Sequence, residues 1–134
     1  MELAGKRILI IGLGKTGLAT ARFLAGRAVS VVVTDEKPKI DLEELCQRGG
    51  IAPGLEIANY DPSSLYHVDL IVPSPGVPPG NPILREASKR KVPIISEIEL
   101  AYRFLSCPII AITGTNGKTT TTTLIGQILK KAGK

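Results

Sequence analysis

The stretch Arg7–Gly17, which reads RILIIGLGKTG, decides the fold. Its opening apolar run predicts a strand, Arg7–Ile11, buried on both faces of a parallel sheet. Glycines in the spacing G-x-G-x-x-G follow at once. Leu18–Ala25 is then rich in helix formers and stops at Gly26. This order of strand, glycine turn and helix predicts the first unit of a doubly wound α/β sheet.

A second strand completes a nucleotide-binding unit. Val29–Val33 is another buried run, and Asp35 follows at its tip, where dinucleotide-binding folds meet a ribose hydroxyl. The glycine motif, the helix and the acidic residue, in this order, indicate a nucleotide site. The alternative is a tight turn whose glycines only let the helix pack on the strand.

The same alternation continues to about residue 95 and predicts a Rossmann-like, doubly wound parallel sheet of five strands in residues 1–95. The further predicted elements are a helix at Asp41–Arg48 capped by Asp41 and ended by Gly49 and Gly50, a short strand within Ile51–Ile57, a strand at Val68–Val72, a helix at Pro82–Lys91 and a strand at Val92–Ser96.

The segment Pro73–Gly80 contains four prolines and two glycines in eight residues. It follows the predicted strand Val68–Val72 directly, so it forms a rigid loop at the carboxyl end of that strand. Open α/β sheets bind their ligands at this edge. The sequence therefore predicts that this loop lies at the ligand-binding edge of the sheet.

A second phosphate-binding pattern lies at Ile109–Thr123, which reads IIAITGTNGKTTTTT. A β-branched run predicts a strand, a glycine-bounded turn follows, and a helix begins at the lysine. In this pattern Lys118 meets the β/γ-phosphates and the Thr119 hydroxyl meets Mg²⁺. The first glycine of the general pattern would fall at Ile112, so the loop is a variant, and an ordinary Gly/Asn turn is the alternative.

A domain boundary is predicted near Ser96. Glu97–Leu105 has helical composition and leads to the second phosphate loop. Residues 96–134 hold too few elements to close a core, so we expect them to be the start of a P-loop ATPase domain.

Composition sets the class of protein. The chain has 134 residues, 43% of them hydrophobic, and a diffuse net charge of +5, which suits anionic ligands. Cys46 and Cys107 lie far apart, as expected for free thiols in a reducing, cytoplasmic compartment. The apolar run before Gly12 is too short to cross a membrane. Tyr60 and the other tyrosines are expected to pack with solvated hydroxyls.

Three other functions fit parts of the sequence. An NAD(P)-dependent oxidoreductase domain explains the first glycine motif but leaves the phosphate loop without a role. A P-loop switch NTPase explains the loop but leaves the first motif idle. A nucleic-acid binder could use the basic residues between Arg85 and Lys91, but no aromatic residues accompany them for base stacking, so we expect no nucleic-acid partner.

Four motifs together resemble the N-terminal third of the Mur ligases, and the resemblance covers the whole chain. They are GLGKTGLA at Gly12–Ala19, DLIVPSPGV at Asp69–Val77, SEIEL at Ser96–Leu100 and TGTNGKTT at Thr113–Thr120. Folylpolyglutamate synthases share the last motif. The first two motifs point to the D-glutamate-adding branch of the family.

The resemblance implies that the first domain holds the UDP part of the substrate rather than NAD. Lys15 and Thr16 would meet the diphosphate through their backbone, and Asp35 and Glu36 would lie at the uracil and ribose. The implied UDP-substrate site is Gly14, Lys15, Thr16, Gly17, Asp35, Glu36, Ser74, Pro75 and Gly76. The implied ATP site is Gly114, Thr115, Asn116, Gly117, Lys118, Thr119 and Thr120, with Lys118 and Thr119 catalytic and Thr119 a Mg²⁺ ligand.

The implied reaction belongs to peptidoglycan precursor synthesis. ATP phosphorylates the carboxylate of UDP-N-acetylmuramoyl-L-alanine to an acyl phosphate, and the D-glutamate amine then displaces phosphate. ATP and Mg²⁺ are the implied cofactors, and the full-length enzyme is expected to be a monomer without a membrane partner. The 134-residue piece alone is expected to be inactive, with a nearly whole uridine site.

Overall fold

Four parallel strands form the sheet of this protein, in the order β3-β2-β1-β4. The computed structural model describes residues 2–51 and 55–133. The strands are β1 (Arg7–Ile11), β2 (Ser30–Thr34), β3 (Glu56–Ile57) and β4 (Leu70–Pro73). The predicted short strand within Ile51–Ile57 is confirmed only as β3, and residues 52–54 of that prediction lie outside the described residues.

β1 is central, and it contributes to a core on each face of the sheet. Leu9 pairs with Val32 of β2 and with Ile71 of β4. Ile8 and Ile10 point to one core, whereas Leu9 and Ile11 point to the other. Side chains alternate along a strand, so a strand covered on both faces must be apolar at every position. This is the pattern that the sequence predicts.

Helices cover both faces. α1 (Lys15–Ala25), α2 (Lys39–Arg48) and α4 (Glu97–Tyr102) contribute to one core, and α3 (Pro82–Lys89) contributes to the other. Asp41 lies in the first turn of α2 and does not cap it, because the helix begins two residues earlier, after Pro38. The cap of α3 is Asn81, whose side chain accepts from the N–H groups of Ile83 and Leu84.

The predicted fifth strand at Val92–Ser96 is not confirmed. This segment lies beside β4, but it pairs only through an isolated parallel bridge between Ile71 and Ile94. Pro93 has no N–H to donate to a ladder. Ser96 then begins α4, so the chain leaves the sheet edge after one bridge.

α4 is held against the first core by its buried residue Leu100 and by the residues that follow the helix. Phe104 makes an edge contact with Phe23 of α1, with ring centroids 5.3 Å apart. The Arg27 guanidinium lies 3.6 Å from the Phe23 ring centroid. The predicted domain boundary near Ser96 stays a prediction.

Replacing Ser96 by alanine is expected to lower the free energy of unfolding by about 1 kcal/mol. The Ser96 hydroxyl caps α4 by accepting from the Glu99 N–H at 3.1 Å, and alanine leaves that donor without its side-chain partner. Urea unfolding measures the change. Ser106→Ala, at an exposed position outside any helix, is the control and should leave the unfolding midpoint unchanged.

The strand predicted before the second phosphate loop is not confirmed. Residues 108–114 form neither helix nor strand, and Ile109 and Ile110 are about half exposed. A strand needs hydrogen-bonded neighbours, and no described strand lies beside this segment. The helix predicted after the loop is present as α5 (Lys118–Lys131), none of whose residues is buried.

Candidate functional site

The glycine loop between β1 and α1 is tightly folded against the ends of two strands. Gly12 has a φ of +89° and donates its N–H to the Thr34 carbonyl at the end of β2. A Cβ atom added to Gly17 would lie 1.9 Å from the Gly12 carbonyl oxygen. Both positions therefore require glycine, and α1 begins closer to β1 than any side chain would permit.

Asp35 holds this loop in place. Its Oδ2 accepts from the Leu13 N–H at 2.6 Å, and its Oδ1 accepts from the Lys37 N–H at 3.1 Å. The carboxylate at the end of β2 thus joins the glycine loop of β1 to its own strand end. The predicted contact of Asp35 with a ligand stays a prediction, and the bracing of the loop is an additional role.

The proline-rich loop is attached to the same place. The Ser74 hydroxyl donates to the Gly12 carbonyl at 2.7 Å, and the Ser74 N–H donates to the Ile11 carbonyl at 2.8 Å. These bonds connect the carboxyl ends of β1 and β4. The two loops predicted from separate parts of the sequence are therefore in direct contact.

A cavity of about 370 Å³ opens between these loops. It lies where the strand order reverses, because the chain runs outward from β1 to β3 and then returns to place β4 on the other side of β1. The residues that line it are Gly12, Gly14, Thr16, Asp35, Glu36, Tyr60, Ser74, Pro75, Gly76, Val77 and Pro78.

The structure brings together most of the predicted UDP-site residues. Two predicted residues do not line the cavity: Lys15 is exposed at the start of α1, and Gly17 is buried beneath the loop. The N-terminus of α1 lies beside the cavity, and the first N–H groups of a helix attract anions. The arrangement can therefore bind a phosphate without a cationic side chain.

Tyr60 is a cavity residue that the sequence analysis missed. The prediction that its hydroxyl is only solvated is wrong, because the hydroxyl oxygen accepts from the Asn81 side-chain amide at 2.7 Å. Burial raises the pKa of this hydroxyl, and the nearby Glu36 carboxylate raises it further. One feature of the sequence could have indicated this position. Tyr60 follows β3 closely and so lies at the edge formed by the carboxyl ends of the strands, where open α/β sheets bind ligands.

The second phosphate loop has a curled backbone of its own. Gly114 and Gly117 have φ values of +148° and +76°. The Lys118 ammonium donates to the carbonyls of Gly114 and of Thr115, the latter at 3.3 Å. The lysine therefore lies over the loop that precedes it. The ATP-binding and Mg²⁺-binding roles of Gly114, Thr115, Asn116, Gly117, Lys118, Thr119 and Thr120 stay predictions.

The threonine run divides into two parts. The Thr122 and Thr123 hydroxyls donate to the carbonyls of Lys118 and Thr119, one helical turn earlier. Such bonds keep hydroxyls within the helix. Thr122 and Thr123 therefore bond to their own helix. The threonines at the N-terminal end of α5, next to the loop, are the ones that could contact a ligand.

The two cysteines differ in exposure. Cys46 is buried and Cys107 is exposed, and neither forms a disulfide. Burial raises the pKa of the Cys46 thiol, which keeps it protonated.

Within residues 2–51 and 55–133, no cluster of three His, Cys, Asp or Glu side chains could hold a metal. No helix in those ranges is both long and apolar enough to span a membrane.

Comparison with known proteins identifies the family. Residues 6–96 match the family described as Mur ligase MurD-like, N-terminal domain. The chain belongs to the Mur ligase family. The predicted resemblance to Mur ligases is thereby confirmed.

Relatives of this Mur ligase chain support the assignment. It is 56% identical, over its whole length, to the UDP-N-acetylmuramoylalanine--D-glutamate ligase of Syntrophus aciditrophicus (strain SB). It is 50% identical, over 99% of its length, to the ligase of the same name from Geotalea daltonii. The chain spans about 30% of the length of each.

A solved structure agrees in fold. The pseudomurein peptide ligase type C of Methanothermus fervidus is 30% identical, with a TM-score of 0.58, over 96% of this Mur ligase chain and 27% of that protein.

Proposed function

We propose that the cavity at the carboxyl ends of β1 and β4 binds the UDP part of UDP-N-acetylmuramoyl-L-alanine. The observation that carries the proposal is the convergence of the glycine loop, Asp35 and the Ser74 loop on one cavity at the N-terminus of α1. The helix terminus and the loop N–H groups favour the diphosphate. The Asp35 and Glu36 end favours the nucleoside, whose hydroxyl and imide groups are donors.

The full-length protein is proposed to be an ATP-dependent ligase of peptidoglycan precursor synthesis. It adds D-glutamate to UDP-N-acetylmuramoyl-L-alanine through an acyl phosphate. The names of the relatives support this reaction. The proposed setting is the cytoplasm, with the full-length enzyme a monomer.

Lys118 and Thr119 are the proposed contribution of this chain to the chemistry. Lys118 places a positive charge beside the loop, where it offsets the charge that develops on the transferred phosphoryl group. The Thr119 hydroxyl is an oxygen donor, which is the kind of ligand that Mg²⁺ prefers. A phosphate loop supplies one such hydroxyl, and nucleotide phosphates and water would complete the coordination. The ion would neutralise phosphate charge when bound.

Titration calorimetry of the chain with UDP-N-acetylmuramoyl-L-alanine tests the substrate proposal, with NADH and ATP-Mg²⁺ as parallel ligands. We expect binding of the UDP compound, no response to NADH, and a loss of about tenfold or more in affinity with Asp35→Ala. That loss reflects the charge-assisted hydrogen bond to the Leu13 N–H.

Glu43→Ala is the matched control, because it removes one exposed carboxylate from α2, away from the cavity. Its affinity for the UDP compound should equal that of the unmodified chain. Tight NADH binding without a response to the UDP compound would contradict the proposal and favour the dehydrogenase alternative.

A further inference from the structure

Asn81 is a buried polar residue whose orientation is fixed by the helix that it caps. Its side chain is only 4% exposed. The Oδ1 atom accepts from the N–H groups of Ile83 and Leu84, at 2.8 and 3.3 Å, at the start of α3. If the Asn81 amide were flipped, its NH₂ group would face the N–H groups of Ile83 and Leu84, and donors would meet donors. The Nδ2 group must therefore point away from the helix.

The fixed amide sets the direction of the next hydrogen bond. Asn81 Nδ2 lies 2.7 Å from the Tyr60 hydroxyl oxygen. An amide nitrogen can only donate, so the tyrosine oxygen accepts. The single hydroxyl proton of Tyr60 is then left for another acceptor. The Glu36 carboxylate is near Tyr60 and lines the same cavity.

The two carboxylates at the end of β2 differ in what they can still bind. Both oxygens of Asp35 accept backbone N–H groups, from Leu13 and Lys37. Glu36 lies at the cavity together with Tyr60, and both also line a second cavity of about 160 Å³ alongside it. An ionised carboxylate has about four acceptor sites, so a hydrogen bond from Tyr60 would leave about three of them open. Glu36 therefore has capacity to accept donors from a ligand.

We propose that Asn81 and Tyr60 are positioning residues: Asn81 directs the Tyr60 hydroxyl proton to the Glu36 carboxylate, which is thereby held as the acceptor for hydroxyl or imide donors at the nucleoside end of the ligand. This inference rests on the proposed function of the cavity. A glutamate side chain at a cavity rim otherwise loses rotamer freedom when it meets a ligand. A hydrogen bond that orders it beforehand increases affinity and selects ligands that carry donors at that place.

Calorimetric titration with UDP and with inorganic pyrophosphate tests the proposal, because only UDP carries the nucleoside. Tyr60→Phe is expected to weaken UDP binding about five- to tenfold and to leave pyrophosphate binding unchanged. In a Glu36→Ala background the same substitution should have no further effect on UDP affinity, since Tyr60 acts through Glu36.

Two further variants separate positioning from folding. Asn81→Asp keeps an oxygen to cap α3 but cannot donate to Tyr60, so it should weaken UDP binding as Tyr60→Phe does. Tyr66→Phe removes a hydroxyl from an exposed tyrosine outside the cavity and should leave both affinities unchanged. Equal UDP affinities for the unmodified chain and Tyr60→Phe would overturn the proposal. A further loss with Tyr60→Phe in the Glu36→Ala background would also overturn it.

A ligand-free measurement distinguishes failure of this proposal from failure of the proposed function. Carbon NMR of labelled tyrosine rings reports the pKa of Tyr60 without nucleotide, and Glu36→Ala should lower that pKa by removing a neighbouring negative charge. An unchanged pKa overturns the Glu36–Tyr60 link. Absence of UDP binding by the unmodified chain, with the pKa change present, overturns the proposed function and leaves the link established.

Discussion

Replacing Gly17 by alanine is expected to destabilise the protein by about 3 kcal/mol or more and to abolish binding in the cavity. The new Cβ would lie 1.9 Å from the Gly12 carbonyl oxygen and 3.0 Å from the Ser74 Oγ. The first of these is a backbone atom that cannot rotate away. α1 would have to move off β1, and the loop that lines the cavity would move with it.

Thermal and urea unfolding measure the stability of Gly17→Ala, and calorimetry with UDP measures its binding. Gly26→Ala is the matched control at the other end of α1. Gly26 has a φ of −88° and no atom within 4 Å of an added Cβ, so alanine there should change the unfolding free energy by less than about 1 kcal/mol. A Gly17→Ala protein as stable as Gly26→Ala would show that the close approach of α1 to β1 is not required.

The sequence predicts the central part of the fold because burial on both faces leaves a strong local pattern. The three central positions of β1 and of β2 are apolar, and the required glycines Gly12 and Gly17 lie at and just after the turn from strand to helix. Each of these signals depends on residues close together in the chain. The same locality explains why the prediction of a glycine loop at the end of β1 is confirmed.

The periphery is less predictable because its structure depends on distant partners. Val92–Ser96 has the composition of a strand, but whether it pairs depends on how far the chain follows β4 before α4 begins. Ile109–Thr113 is equally apolar, and no described strand pairs with it. Composition indicates only that a segment can form a strand. The strand forms where a neighbouring strand is available to pair with it.

The candidate site is likewise predictable from the sequence only in part. Sequence order places Asp35 and Ser74 at strand ends, so their proximity could be predicted from the edge rule for open sheets. The hydrogen bond between Asn81 and Tyr60 joins two residues 21 positions apart. Each of the two has a satisfactory ordinary role, as a helix cap and as a packing residue, so neither stands out in the sequence. Their shared role exists only in the folded chain.

Replacing Lys118 by alanine is expected to lower kcat of the full-length ligase by about 10²–10³-fold, which corresponds to about 3–4 kcal/mol of lost transition-state stabilisation. The expectation follows from the proposed role of the second phosphate loop. The ammonium lies against the Gly114 and Thr115 carbonyls at the start of α5, where the phosphate of ATP would meet both the loop and the helix N-terminus. Steady-state phosphate release with all three substrates measures the change.

The same variant should leave UDP binding intact, because the cavity at the carboxyl ends of β1 and β4 shares no residue with the second phosphate loop. Lys131→Ala, which removes an exposed lysine from the other end of α5, is the matched control and should retain full activity. A Lys118→Ala enzyme with undiminished kcat would remove the lysine from the chemistry. Loss of UDP affinity in that variant would instead mean that Lys118 contributes to binding in the first cavity, through its charge or through contact between the two segments.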